Sequence, residues 1–197
     1  MNLFDFLNER LFDNKIKLKI KPKILRLILP RVSISFFNTI LIDNVNIPNS
    51  IILHEIQHLT ERCNYEKYKF KVSFWKTIKF YVGYLMPQAV ALFSLLALLN
   101  IWFLLFLLFL LPNPILSFYR KNVELRGYYW NWYMGDLVDF TQIFNGWLYY
   151  KMDCNHSNNE YYKLMREIHD KLYFSVDINK YFYMYILLKE YKIYKYK

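Results

Sequence analysis

The sequence predicts a mainly helical α+β fold: a small N-terminal β-sheet, a helix dense in chemistry-bearing residues, a transmembrane helical hairpin and C-terminal helices. Three observations carry that expectation. Lysines alternate with Ile16, Leu18 and Ile20 over residues 15–23; the pattern His54-Glu55-Ile56-Gln57-His58 follows an apolar lead-in; and residues 82–118 hold no charged side chain. At 197 residues the chain suits one domain with a sizeable core. Residues 1–73 hold the strands and the motif helix, 74–118 the hairpin, and 119–197 a helical part that completes the same domain.

The N-terminal stretch carries Asp5, Glu9 and Asp13, the wrong charges for a signal peptide, while Leu3, Phe4, Leu7, Leu11 and Phe12 follow helical spacing. A short amphipathic helix docked in the core is expected. The period-two pattern over 15–23 predicts a half-buried strand with a lysine outer face, ended or placed at an edge by Pro22. Residues 23–29 fit either strand or short helix before Pro30. Residues 32–42 are rich in β-branched and aromatic types and predict a strand, and Asp43, Asn44, Asn46, Pro48 and Asn49 supply turn chemistry. Asn49 or Ser50 can then cap a helix running from near Ile51 to about Tyr65.

Downstream, residues 119–150 lack proline and predict one or two helices broken at Gly135 or Gly146. Ser157 and Glu160 form a capping-box pattern for a helix to about Tyr173, and Asp177 opens a last one.

The uncharged run at 82–118 reads as a membrane signal. As one straight helix it would extend roughly 55 Å, against a hydrocarbon core of about 30 Å. It therefore holds either one span from Gln88 to Leu111 or a hairpin that recruits residues 74–81 and turns near Asn100. Of 26 Lys and Arg, 14 precede the run and 12 follow it, so both flanks look cytoplasmic and a hairpin is favoured. An integral membrane protein with its metal site on the cytoplasmic side is the expectation.

A formal charge of +10 suits nucleic acid or anionic lipid. The apolar run decides for membrane lipid and against nucleic acid. Cys63 and Cys154 are too few for a disulfide framework, and a reducing compartment is the default.

The pattern His54-Glu55-x-x-His58 has a physical reading. Residues four apart share one helix face, so both imidazoles can reach a single ion, and Glu55 beside them is placed to act as general base on water. Zinc is the expected cofactor. A catalytic zinc takes a third protein ligand, for which Glu61, Glu124, His156 and His169 are the candidates. Glu61 lies on the motif helix itself, where three ligands in a row cannot surround an ion, and suits a supporting role.

With Arg120-Lys121-Asn122-Val123-Glu124-Leu125-Arg126-Gly127-Tyr128 after it, the motif resembles the gluzincin class of HExxH zinc metallopeptidases. It is loosely similar to the membrane-anchored HtpX group. The resemblance covers residues 51–128 and implies a zincin-type metal helix with Glu124 as third ligand. Gly127 stands where alanine is common in that class, and Tyr128 stands where the group has an aspartate. A tyrosine such as Tyr128 or Tyr129 is a candidate to stabilise the oxyanion. The implied activity is hydrolysis of the peptide bonds of a peptide or protein substrate by a zinc-activated water with Glu55 as base; the alternative is a non-catalytic integral membrane protein in which a structural metal ties the hairpin to the soluble helices and the basic face binds lipid or a protein partner.

Overall fold

The computed structural model describes residues 2–13, 15–28, 33–44, 47–66, 69–85, 90, 92–98, 100–110, 118–145, 156–174 and 180–195. The first helix, α1 (Leu3–Leu11), is capped by Asn2, whose side chain accepts from the Asp5 amide at 2.8 Å. Leu3, Phe4, Phe6, Leu7 and Leu11 all turn inward, so its apolar stripe lies in the core.

Three strands form one sheet in the order β1-β3-β2. β1 (Lys17–Ile20) runs parallel to β3 (Thr39–Ile42), and β2 (Ile34–Phe36) antiparallel to it. The segment expected as one strand over 32–42 is thus a hairpin, closed by Phe37 in the left-handed region at φ 46°. Lys17 and Lys19 face solvent on an edge strand, as their alternation requires. Lys21 breaks the row: it is buried, with its Nζ 2.7 Å from Asp43. A short α2 (Lys23–Ile28) resolves the ambiguity over 23–29.

The motif helix α3 (Asn49–Glu61) begins directly after Pro48 with no side-chain cap, and it ends well before Tyr65. Arg62 closes it, and the chain turns into an antiparallel pair, β4 (Cys63–Glu66) and β5 (Lys69–Val72). Charged residues in both short strands hide them from hydropathy. α4 (Phe74–Tyr84) follows, capped by Ser73. The C-terminal part consists of α5 (Phe118–Tyr133), α6 (Phe140–Asn145), α7 (Asn158–Phe174) and α8 (Lys180–Lys195). α7 opens with the expected capping box: the Ser157 amide donates to Glu160 Oε2 at 2.7 Å and the Glu160 amide to Ser157 Oγ at 3.4 Å. Gly146, Cys154 and Asp177 lie outside the described residues.

The transmembrane hairpin is overturned. Among the described residues no helix is long and apolar enough to cross a membrane. The apolar run forms two 3-10 helices, Leu92–Leu98 and Ile101–Leu110, and the longer one extends only about 20 Å at roughly 2.0 Å per residue. Asn100 marks the break, its amide donating to the Leu96 carbonyl at 3.2 Å and its side chain accepting from the Trp102 amide at 3.0 Å. A polar side chain that bonds its own backbone competes with a continuous α-helix, and average hydropathy does not register that competition. Nor is α4 the first leg of a hairpin. Its Thr77 and Phe80 are buried against the fold, and Lys76 Nζ donates to the Cys63 carbonyl at 3.0 Å rather than snorkelling. The expected localisation, integral to a membrane with the site on its cytoplasmic side, falls with the hairpin. So does the argument that assigned the positive charge to lipid over nucleic acid.

Candidate metal centre

Helices α3 and α5 pack antiparallel along one polar seam. Glu61 takes Arg126 in a fork, with Nε at 2.6 Å and Nη2 at 2.8 Å; Gln57 Oε1 accepts from the fully buried Trp130 Nε1 at 2.9 Å; His54 meets Asn131. As α3 positions descend from 61 to 54, their α5 partners ascend from 126 to 131. Glu124, Gly127 and Asn131 are spaced i, i+3, i+7 and so share the α5 face turned to His54 and His58. A paired seam of this kind sets the rotation of each helix about its axis.

That register brings the predicted ligands together. Glu124 Oε2 lies 3.3 Å from His54 Nε2 and 3.8 Å from His58 Nε2, and one ligand atom from each of the three residues falls within 4.8 Å of the others. Ligands sharing a tetrahedral zinc at about 2.0–2.1 Å stand about 3.3 Å apart; Glu124 and His54 are already at that spacing, and the widest pair would have to close from at most 4.8 Å. All three are buried, as is Glu55.

They open onto a cavity of about 450 Å³, lined by Ser33–Phe36 of the sheet edge, by His54, Glu55 and His58, by Phe80, Tyr81, Tyr84 and Leu85 of α4, and by Arg120 and Glu124. Glu55 therefore shares the cavity with all three ligands. The mostly apolar wall would lower the local dielectric around any bound carbonyl.

The electrostatics follow from close packing. Burial alone would raise the Glu124 carboxyl, but hydrogen bonds and charge from His54 and His58 outweigh it and hold it well below the usual range. Burial would lower His54; the hydrogen bond and charge of Glu124, with smaller help from Glu55 and Asn131, raise it instead. Tyr84 donates to Glu124 Oε1, leaving Oε2 to face the histidines. Its phenol is pushed well above the ordinary value by burial and by the Glu124 charge, so it stays a donor.

The other predicted residues are placed elsewhere. Glu61 is engaged by Arg126 and Gln57 and is not part of the cluster. His156 lines a separate cavity with Lys121 and Lys163, and His169 Nδ1 sits 2.9 Å from the Tyr129 hydroxyl inside an aromatic cluster. Neither joins the centre. Tyr128 and Tyr129 do not line the cavity: Tyr128 stands edge-on to the His54 ring at 4.6 Å and Tyr129 faces His169. Gly127 is more than a stand-in for alanine. A Cβ there would lie 2.6 Å from His54 Nε2 and 2.8 Å from two of its ring carbons.

Sequence reasoning missed four residues. Tyr84 and Tyr81 on α4 were hidden by the membrane reading. Arg62, fully buried, bonds the carbonyls of His58 (3.2 Å) and Ser35 (3.1 Å) and the Tyr81 hydroxyl (2.5 Å), tying α3, β2 and α4 around the cavity. Burial lowers its pKa, against the opposing pull of Tyr81. Because Ser35 also accepts from Tyr81 at 2.9 Å, the edge strand nearest the cavity has this carbonyl already occupied. The fourth, Asn131, lies seven residues after Glu124, beyond the reach of the motif. Comparison of the chain with protein-family models, with curated proteins and with solved structures finds no match.

Proposed function

We propose that the chain is a zinc-dependent metallopeptidase. The convergence of His54, His58 and Glu124 on one point of a cavity that Glu55 also lines carries this reading. Bound at that point, zinc supplies Lewis acidity that polarises a carbonyl and acidifies water. The chain's own residues do the rest. Glu55 accepts the proton of the attacking water as its oxygen bonds to the carbonyl carbon, then returns it to the nitrogen as the C–N bond breaks. Tyr84 keeps Glu124 oriented, and the buried Phe80 lends the cavity an apolar wall.

The test is Glu55→Gln, which keeps the shape and removes the base. Hydrolysis of a peptide library should fall by about 10²–10⁴-fold while zinc stays bound at one ion per chain. Full activity in the variant would remove Glu55 from the mechanism, and a wild type that takes up no zinc would remove the reading altogether.

A further inference from the structure

The first metal-site histidine needs a partner on its Nδ1, because a ligating imidazole is held in tautomer and direction by what its other nitrogen bonds. At position 128, one turn after Glu124, Tyr128 sets its ring nearly perpendicular to that of His54, with centroids 4.6 Å apart. The partner comes from one turn further on. His54 Nδ1 lies 3.0 Å from Asn131 Oδ1, and Asn131 Nδ2 donates to Asp136 Oδ2 at 3.1 Å.

The backbone delivers Asp136 to that place. The Gly135 amide bonds the Trp132 carbonyl at 3.0 Å and the Asp136 amide bonds the Asn131 carbonyl at 3.0 Å, with Gly135 at φ +90°. This is a Schellman C-cap: glycine in the left-handed position after α5, and the following residue folded back over the last turn. The side chain of Asp136 then meets the side chain whose carbonyl its own amide already holds.

We propose that Asn131 and Asp136 form a positioning relay that keeps a proton on His54 Nδ1 and aims its Nε2 lone pair at the metal position. The direction follows from donor and acceptor inventory. An ionised carboxylate only accepts, so Asp136 must face the amide NH₂ of Asn131; that turns Oδ1 toward His54, and Oδ1 can only accept from an Nδ1–H. An asparagine alone could flip and present either group. Asp136 removes that choice. His58 has no equivalent, since its buried Nδ1 finds no hydrogen-bond partner among the described residues. The relay rests on the metallopeptidase reading for its purpose, and on geometry for its existence.

The experiment uses the full chain and zinc alone as the probe. In the metal-free wild type, at alkaline pH where the ring has shed one proton, nitrogen-15 NMR should show the remaining proton on His54 Nδ1, and a bare Nδ1 would overturn the relay. Asn131→Ala should weaken zinc binding by about 10–100-fold. Asp136→Asn, whose amide donates as well as accepts, frees Asn131 to turn over and should lose part of the affinity, and Asp136→Leu should lose most of what Asn131→Ala loses. Wild-type affinity in both Asp136 variants, or in Asn131→Ala, would sink the proposal. If Asn131→Ala does not fold, the Asp136 pair and the wild-type spectrum decide it. A wild type that binds no zinc would end the metallopeptidase reading, while the Nδ1 proton would still decide the relay.

Discussion

The seam between α3 and α5 and the apolar stretches Leu92–Leu98 and Ile101–Leu110 are all helical, yet they answered sequence reading in opposite ways. In the seam every position is specified by a partner: Glu61 by Arg126, Gln57 by Trp130, His54 by Glu124 and Asn131. In the apolar stretch Leu, Phe and Ile follow one another with little to distinguish one face from another, and many of them, Leu95, Ile101, Leu105 and Leu108 among them, remain exposed. Polar side chains at fixed spacing encode geometry. Apolar runs encode only a preference for leaving water, which several backbone conformations satisfy.

The sharpest way to break this contrast is to remove a ligand from the seam. Glu124→Ala deletes the acceptor shared by both histidines and should weaken zinc binding by more than the roughly 100-fold that loss of an outer partner brings. Titration with a competing chelator measures it. Affinity equal to wild type would mean that the three side chains meet without forming a site.

Next in size is Gly127→Ala. A methyl 2.6 Å from His54 Nε2 must push the ring aside, while Asn131 and Tyr128 resist its movement. We expect a loss of about 1–3 kcal/mol in denaturant unfolding, together with weaker zinc binding. An unchanged midpoint and unchanged affinity would show that the helices separate at no cost, and the seam would not be rigid.

The metal-free seam should also respond to pH with a definite sign. His54 is raised above its ordinary 6.5, so its contribution to stability is full below that value and is lost as pH rises through the raised one. Glu124 is depressed, so its contribution is full above the ordinary carboxyl range and is lost only as pH falls through the depressed value. Metal-free protein should therefore lose stability on the alkaline side of pH 6.5, and zinc should bind up to about tenfold more tightly per pH unit across the same window as it displaces the His54 proton. Melting temperatures that stay flat from pH 6 to 9 would contradict it.

How much was legible follows from the same contrast. The HExxH helix, Glu55 and the amphipathic α1 could be read because their spacing repeats at the helical period. Glu124 required a resemblance to supply it, since the 65 residues between His58 and Glu124 leave no local signal. Arg62 and Tyr84 were out of reach: each matters through a contact across the fold, and Tyr84 looked like the start of a membrane leg. Asn131 left a trace, because a Gly-Asp pair at 135–136 after a helical run is a C-cap signal and places position 136 over 131.

The smallest expected effect tests the apolar side of the comparison. Leu105 is 54% exposed and Leu108 58%, so neither contributes much burial to the fold. Lysine at either position trades partly solvated apolar surface for a charge that water can reach, and surface changes of that kind alter stability by about 0.5 kcal/mol or less. Leu105→Lys and Leu108→Lys should therefore melt with the wild type and bind zinc as it does. The same charges at the centre of a membrane helix would cost about 2.5–3.5 kcal/mol each and would disturb insertion. A lysine at 105 that abolishes folding would show that these leucines are covered in the working protein. The contrast with the seam would then be one of partner, apolar against polar, rather than of order.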